Sequence, residues 1–376
     1  MDKKERPSKK IWQGGKAGKA DAFGAQKTNV LVTGATGFLG RRLVPALLQC
    51  GYGVTCLVRG DPGPGLWADC RMIEGDLRDE KSIAAALEGT HAVVHAGAVI
   101  NPKDPSLFET VNVKGTKSLA EASKKARVHH FIFISSVDVG HGTKYGNSKE
   151  TGEEIVKTSG VPFTIFRPGP IYGVGDDKNI MELFNLVKTK KVMPVIGSGN
   201  NLRQPIHVDD VVLAIIRVIC SGKAIGKTYY LGGPSITHNE ILAAMIEASD
   251  NRPTIVHLPS GLAKTLVMAV NKFGLGPNIS RDQVRTLDSD KTGDLGPFEE
   301  DFKFKARPFK EGFNQVLDEL EGRETGKTPS LALDSDGQGN ENTQKGKPTP
   351  PPKDKRAAKA MNRKPKKTAN KKVPAR

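Results

Sequence analysis

No apolar run in the 376-residue chain reaches the roughly 20 residues that a membrane-spanning helix needs, and the charged amino terminus lacks the apolar stretch of a secretory signal. Val211–Cys220 is interrupted by Arg217, and Leu258–Phe273 suits a helix capping a core better than one lying on a membrane. Cysteine is scarce: Cys50, Cys56, Cys70 and Cys220 form no C-x-x-C pair, and Cys56 sits inside an apolar run. A reduced, cytoplasmic setting fits this usage. Large apolar side chains are almost absent after Leu333, so the Lys- and Pro-rich segment 325–376 cannot bury a core and is expected to be a disordered basic tail. Acidic residues are also short overall, leaving a formal charge of +16, but the excess sits at the ends. Residues 1–27 hold eight Lys/Arg against three acids and 325–376 hold fourteen against four; the stretch between has 35 bases and 34 acids. The nearly neutral middle argues against a dedicated nucleic-acid-binding domain, and only the tail offers an electrostatic hold on nucleic acid or anionic lipid.

What is present begins at Asn29. The run N-V-L-V-T suits a buried parallel strand, and Phe38-Leu39-x-x-x-Leu43-Val44-x-x-Leu47-Leu48 suits a helix packed on a sheet. Gly34, Gly37 and Gly40 join them in a G-x-x-G-x-x-G turn, where small residues let backbone approach a pyrophosphate and the helix start presents free N–H groups to it. A second strand, Val54–Val58, ends at Arg59. At this strand end a dinucleotide site holds an acid for ribose hydroxyls or an arginine for a 2′-phosphate. Val58 and Arg59 favour the phosphorylated cofactor NADP, with NAD the alternative should Asp61 serve instead.

Further strands are expected at Arg71–Glu74, His91–His95 and His130–Ile134, with helices over Glu80–Leu87 and about 106–125. Asp76 has two uses, an adenine contact or the cap of the following helix. Ala96-Gly97-Ala98 leaves room for a flat or phosphorylated group beside a strand end. Asn112 is expected to bond backbone within a kinked helix. After Ser135-Ser136, Tyr145 and Lys149 stand four apart on a helix running to about Thr158, so an ammonium can lie beside a phenol and lower its pKa. That spacing alone is common in surface helices; its place after a glycine clamp, four further strand ends and a serine pair gives it meaning. Farther on, Thr237-x-x-Glu240 and Ser280-x-x-Gln283 have the capping-box form, Asp209 or Asp210 is expected to cap the Val211–Cys220 helix, and His207 to make a lobe contact and bind no metal.

T-G-A-T-G-F-L-G, G-D-L at Gly75–Leu77, H-A-G-A at His95–Ala98, Y-G-N-S-K and R-P-G-P-I-Y-G at Arg167–Gly173 together resemble the extended short-chain dehydrogenases/reductases, the NAD-dependent epimerase/dehydratase-like proteins, over about Thr28–Leu320. The resemblance implies a doubly wound α/β sheet of six or seven strands over 28–324, with a small substrate lobe built mainly from about 174–324. It implies that Tyr145 is the acid/base, that Lys149 binds the nicotinamide ribose and tunes Tyr145, and that Ser136 bonds the reacting oxygen, with Pro168 to Ile171 beside the nicotinamide. The candidate cofactor contacts are thus Gly34, Thr36, Gly37, Phe38, Leu39, Gly40, Arg59, Asp76, Leu77, Ala96, Gly97, Ala98, Ser135, Tyr145, Lys149, Pro168 and Ile171. The implied activity is oxidation or reduction of a secondary alcohol or ketone on a small molecule, such as a sugar nucleotide or a 3β-hydroxysteroid; a homodimer is the candidate assembly.

The run from Ser280 through Asp290–Asp294 to Arg307-Pro308-Phe309 resembles an atypical subgroup near the nucleotide-binding accessory subunit of respiratory complex I, whose members need not turn substrate over and can serve as dinucleotide-binding scaffolds. Two departures stand out. Only eight residues separate Ser136 from Tyr145, where the family has a longer loop, and Val137 replaces the first of the two acids that follow the active serine or threonine in 4,6-dehydratases, leaving Asp138 alone. The second argues against elimination chemistry.

Deleting residues 325–376 is expected to leave the thermal unfolding midpoint and cofactor affinity nearly unchanged, because the segment has no apolar surface to bury. A large fall in the midpoint on truncation would show that the tail packs. Salt-sensitive binding of polynucleotide or anionic vesicles by the full chain alone would show the electrostatic role.

Overall fold

A computed structural model describes residues 28–60, 69–177, 179–259, 261 and 289–323. Asp61, the Ser280-x-x-Gln283 pattern, most of Leu258–Phe273 and the two basic ends lie outside them.

Strands β1 (Asn29–Thr33), β2 (Gly53–Val58), β3 (Arg71–Glu74), β4 (Ala92–His95), β5 (His130–Ile134) and β6 (Phe163–Pro168) alternate with helices α1 (Phe38–Gln49), α2 (Glu80–Leu87), α3 (Thr116–Lys125) and α4 (Lys144–Thr158). Then come β7 (Ile171–Tyr172), α5 (Ile180–Thr189), β8 (Val192–Ile196), β9 (Leu202–Arg203), β10 (Ile206–His207), α6 (Val208–Ser221) and β11 (Lys227–Leu231). The last elements are β12 (Ile236–Thr237), α7 (His238–Glu247), β13 (Thr254–Leu258), α8 (Gly296–Phe302) and α9 (Phe309–Leu320).

Seven strands form one parallel sheet in the order β11-β6-β5-β4-β1-β2-β3. The order reverses between β1 and β4, whose carboxyl ends pair Thr33 with His95; the crevice outside such a switch point is where open α/β sheets bind ligands. Both faces are covered, which is why the strands read as continuous apolar runs. In β1, Val30 and Val32 join the core under α1 and α6, while Leu31 joins the core under α2, α3 and α4. A third cluster, including Tyr172, Phe184, Met193, Leu242 and Phe313, packs α5, α7, β8 and α9 together beyond the sheet.

Some local expectations change. The stretch 106–125 is not one kinked α-helix: Phe108–Gly115 is π-helical and α3 follows it. Asp79, not Asp76, caps α2, accepting from the Lys81 and Ser82 amides. Neither Asp209 nor Asp210 caps α6. Their carboxylates are drawn to Arg42 and Arg307, and the His207 ring Nδ1 accepts the Asp209 amide in their place. That cap requires a neutral imidazole, and burial, with Arg307 and Arg42 close by, holds the His207 pKa far below its ordinary range. His207 also meets the Tyr172 ring edge-on at 5.4 Å, making the lobe contact expected of it. The Thr237–Glu240 capping box is present.

Candidate active site

The glycine turn is packed too tightly for side chains. A Cβ on Gly34, at φ +73°, would stand 2.7 Å from the Gly97 nitrogen, and one on Gly40 would stand 2.3 Å from the Gly34 carbonyl oxygen. The first contact draws the ends of β1 and β4 together; the second seats α1 directly on the turn. Gly37 is the N-cap of α1 and offers no side chain, and the first turn carries no acid, so its amide donors and positive dipole end meet nothing anionic from their own helix. Thr36 and Gly37 are exposed, Phe38 is half-buried, and Leu39 and Gly40 are buried. This cradle fits a pyrophosphate.

At the next strand end Arg59 is exposed and close enough to Asp76 to help lower its pKa. The larger cause is Arg78, which donates to Asp76 from Nε at 2.8 Å, Nη2 at 3.0 Å and its own amide at 2.9 Å. Two guanidiniums therefore act on one carboxylate. Arg78 stands two residues after Asp76, within reach of a sequence reading that stopped at G-D-L. Leu77 packs against Gly115 and Gly97, where added Cβ atoms would lie 2.8 Å from its Cβ and 3.4 Å from its Cδ1. The half-buried run Ala96–Ala98 is held by Thr33, whose Oγ1 accepts the Gly97 amide at 3.2 Å.

Asn112 is structural, although its partners lie outside its own helix. Its side chain accepts the Val99 amide at 2.8 Å and donates to the Val99 carbonyl and Ser148 Oγ, each at 2.9 Å. The loop after β4 is thereby tied to α4 one residue before Lys149.

Thr143 caps α4 by accepting the Gly146 amide at 2.8 Å. Tyr145 and Lys149 follow on one face. Burial, reinforced by the Asp138 carboxylate, raises the Tyr145 hydroxyl above its ordinary range, while a hydrogen bond from Ser136 pulls the other way. The short loop thus leaves Ser136 near enough to act on the Tyr145 hydroxyl. The expected lowering of Tyr145 by Lys149 is not what the structure gives. Lys149 is buried, its ammonium stands 4.1 Å from the centre of the Phe133 ring, and burial depresses its own pKa to about 7 despite the nearby Glu153 carboxylate, so it is a weakened counter-charge.

Ser136 Oγ accepts the Asp138 amide at 3.1 Å and lies 3.3 Å from Asp138 Oδ2. Asp138 in turn is paired with Lys291. Lys291 arrives from a stretch fastened to β9, its amide donating to the Leu202 carbonyl at 3.0 Å. Nothing local in the sequence announces this residue. Ser135 directs its hydroxyl to Glu153. At the end of β6, Pro168 is buried, its carbonyl accepting the Val137 amide at 3.0 Å, and Ile171 is half-buried. The structure thus gathers Ser136, Tyr145 and Lys149 at the carboxyl ends of β4–β6, with the glycine cradle at the end of β1 and Arg59 and Asp76 at the ends of β2 and β3. No group of side chains suited to a metal ion occurs among the described residues. No helix among them is long and apolar enough to cross a membrane.

The sequence pattern of the NAD dependent epimerase/dehydratase family matches residues 30–232. Among curated relatives, a ceramide reductase of Caulobacter vibrioides is 31% identical over 236 residues, covering 61% of this chain and 73% of the relative. NADH dehydrogenase [ubiquinone] 1 alpha subcomplex subunit 9, mitochondrial, of Arabidopsis thaliana is 32% identical over 297 residues, covering 73% of each. Among solved structures, MoeE5 in complex with UDP-glucose and NAD superposes with a TM-score of 0.60 at 23% identity, covering 78% of this chain and 99% of the other, a likeness of fold. The switch-point crevice, the glycine cradle and these matches agree: the chain belongs to the NAD-dependent epimerase/dehydratase family, within the short-chain dehydrogenase/reductase superfamily.

Proposed function

We propose that the protein is an NADP-preferring oxidoreductase or epimerase acting on a secondary alcohol or ketone of a nucleotide-sugar-like substrate. The observation that carries this reading is the placement of Tyr145 and Lys149 one turn apart on α4, with Ser136 just past the end of β5 near enough to act on Tyr145. In this reading the amides at the start of α1 hold the pyrophosphate, Arg59 and Arg78 hold a 2′-phosphate, and Lys149 donates to the nicotinamide ribose. A bound nicotinamide dinucleotide supplies the acceptor or donor of hydride. Tyr145 passes the accompanying proton to or from the substrate oxygen, which Ser136 steadies by a hydrogen bond. The Lys149 ammonium favours the phenolate whenever Tyr145 gives its proton up. Beside Ser136, Lys291 and Arg203 are balanced by the carboxylates of Asp138 and Asp290. The test is a screen of sugar nucleotides, 3β-hydroxysteroids and small ketones with both cofactors. Turnover of steroids alone would move the substrate class, and absence of all turnover would favour the scaffold reading.

That second reading also has an observation behind it. Tyr145 is harder, not easier, to ionise than a free tyrosine, and the adjoining Asp138 is already engaged by Lys291.

NADPH is expected to bind more tightly than NADH. Losing one charge-assisted hydrogen bond costs about 1.5–3 kcal/mol, so Arg59→Ala should weaken NADPH by roughly 10- to 150-fold and leave NADH nearly unaffected. Fluorescence titration of both cofactors decides it, and equal affinities in the unmodified protein would remove the phosphate assignment.

A further inference from the structure

Glu153 is almost wholly buried on α4, one turn beyond Lys149 and two beyond Tyr145, and its carboxylate is met from three elements. Ser135, just past β5, donates to Oε1 at 2.5 Å. Arg167, in β6, donates from Nε to Oε1 at 2.8 Å and from Nη2 to Oε2 at 2.6 Å, and is itself tied to the Tyr230 hydroxyl at 2.8 Å. Lys157, on α4, lies 3.7 Å from Oε2. A carboxylate is costly to bury even when paired, and apolar side chains would join a helix to a sheet without that cost. The charge acquires a use from its neighbour. Lys149 is faced by the neutral His95 from β4, the Phe133 ring from β5, and Tyr145 and Glu153 from its own helix; Glu153 is the carboxylate that acts on it.

We infer that Glu153 is a positioning residue for the Tyr145–Lys149 pair: held by Ser135 and Arg167, its carboxylate ties α4 to β5 and β6 and stands, buried, one turn beyond Lys149, where its charge acts on that lysine. The inference rests on the catalytic reading of that pair given above. Burial alone pulls the Lys149 ammonium toward neutrality, and Glu153 opposes it, leaving the pKa at about 7. Removing the negative charge must move it further down. At neutral pH Lys149 would then be mostly an amine, with one donor fewer for a ribose and no charge for a phenolate.

The test is a pH titration of the full-length protein carrying ¹³C at the lysine ε-carbons, the Lys149 resonance being identified by its loss in Lys149→Arg. Glu153→Gln keeps the side chain's size and an acceptor for Arg167, and should lower the Lys149 midpoint by roughly one pH unit or more. Glu153→Asp restores the charge and should recover part of that shift. Ser135→Ala removes a hydrogen bond from the same carboxylate while leaving its charge, and should leave the midpoint in place. Should Glu153→Gln fail to fold because Arg167 is stranded, the change is made in Arg167→Met, where Glu153→Gln should lower the Lys149 midpoint relative to Arg167→Met alone, each variant being compared with its own parent. A folded variant lacking the Glu153 carboxylate whose Lys149 midpoint is unmoved overturns the inference. The titration needs neither substrate nor cofactor, so absence of turnover would count against the catalytic reading alone.

Discussion

Tyr145→Phe is expected to lower turnover by about 10²–10⁴-fold, the scale of a positioned general acid/base, while leaving NADPH affinity intact. The change deletes one hydroxyl. That hydroxyl sits on a helix face fixed by the Thr143 cap, so little else should move. The loss should appear in kcat and kcat/KM together, because a proton transfer is made only in the transition state. Lys149→Ala should harm cofactor affinity as well as turnover, since the lysine has two tasks. The pH profile adds a sign. Lys149, its pKa depressed to about 7, is an ammonium below that value and loses its charge above it, so cofactor affinity should weaken as pH rises through about 7. If a substrate turns over and Tyr145→Phe is as active as the unmodified protein, the proton passes through another group and the assignment fails.

Much of this site could be read from the chain because its parts repeat at strand ends. A parallel strand buried on both faces reads as an apolar run, and the cleft residues follow each run at once: Gly34 after β1, Arg59 after β2, Asp76 after β3, Ala96 after β4. Tyr145 and Lys149 were legible because helical spacing is local. Glu153 continues the same spacing, yet its meaning depends on Ser135 and Arg167 from two other elements. Lys291 had no local signal at all, being brought to Asp138 across 153 residues by the fastening of its stretch to β9. The Asp209-Asp210 pair misled for a related reason. An acid before an apolar helix is a good cap only if nothing stronger claims it, and here two arginines distant in sequence do. The direction of the Tyr145 shift was likewise beyond the spacing, because it is set by burial and the Asp138 charge, neither of which a four-residue spacing carries.

The pairing of Asp210 with Arg307 is where stability should be most sensitive. Arg307 Nη2 lies 2.7 Å from Oδ1, its Nε and backbone amide each lie 3.0 Å from Oδ2, and its other guanidinium nitrogen bonds Gln315 of α9. Both side chains are more than nine-tenths buried. One aspartate on α6 thus fixes the chain just before α9 starts, and α9 brings Phe309 and Phe313 into the third core cluster. Arg307→Met leaves the Asp210 carboxylate buried with a single amide partner, and breaking a buried pair from one side costs about 3–5 kcal/mol. For a domain of this size that corresponds to roughly 5–8 °C in Tm. Asp210→Asn/Arg307→Met removes both charges and keeps an oxygen for the Arg307 amide, so its loss should be much smaller, below about 2 kcal/mol. Thermal unfolding of the two variants separates charge burial from packing. If the double variant is as unstable as the single one, the cost lies in the lost packing of the arginine's stem beside Gly312, and not in a stranded carboxylate.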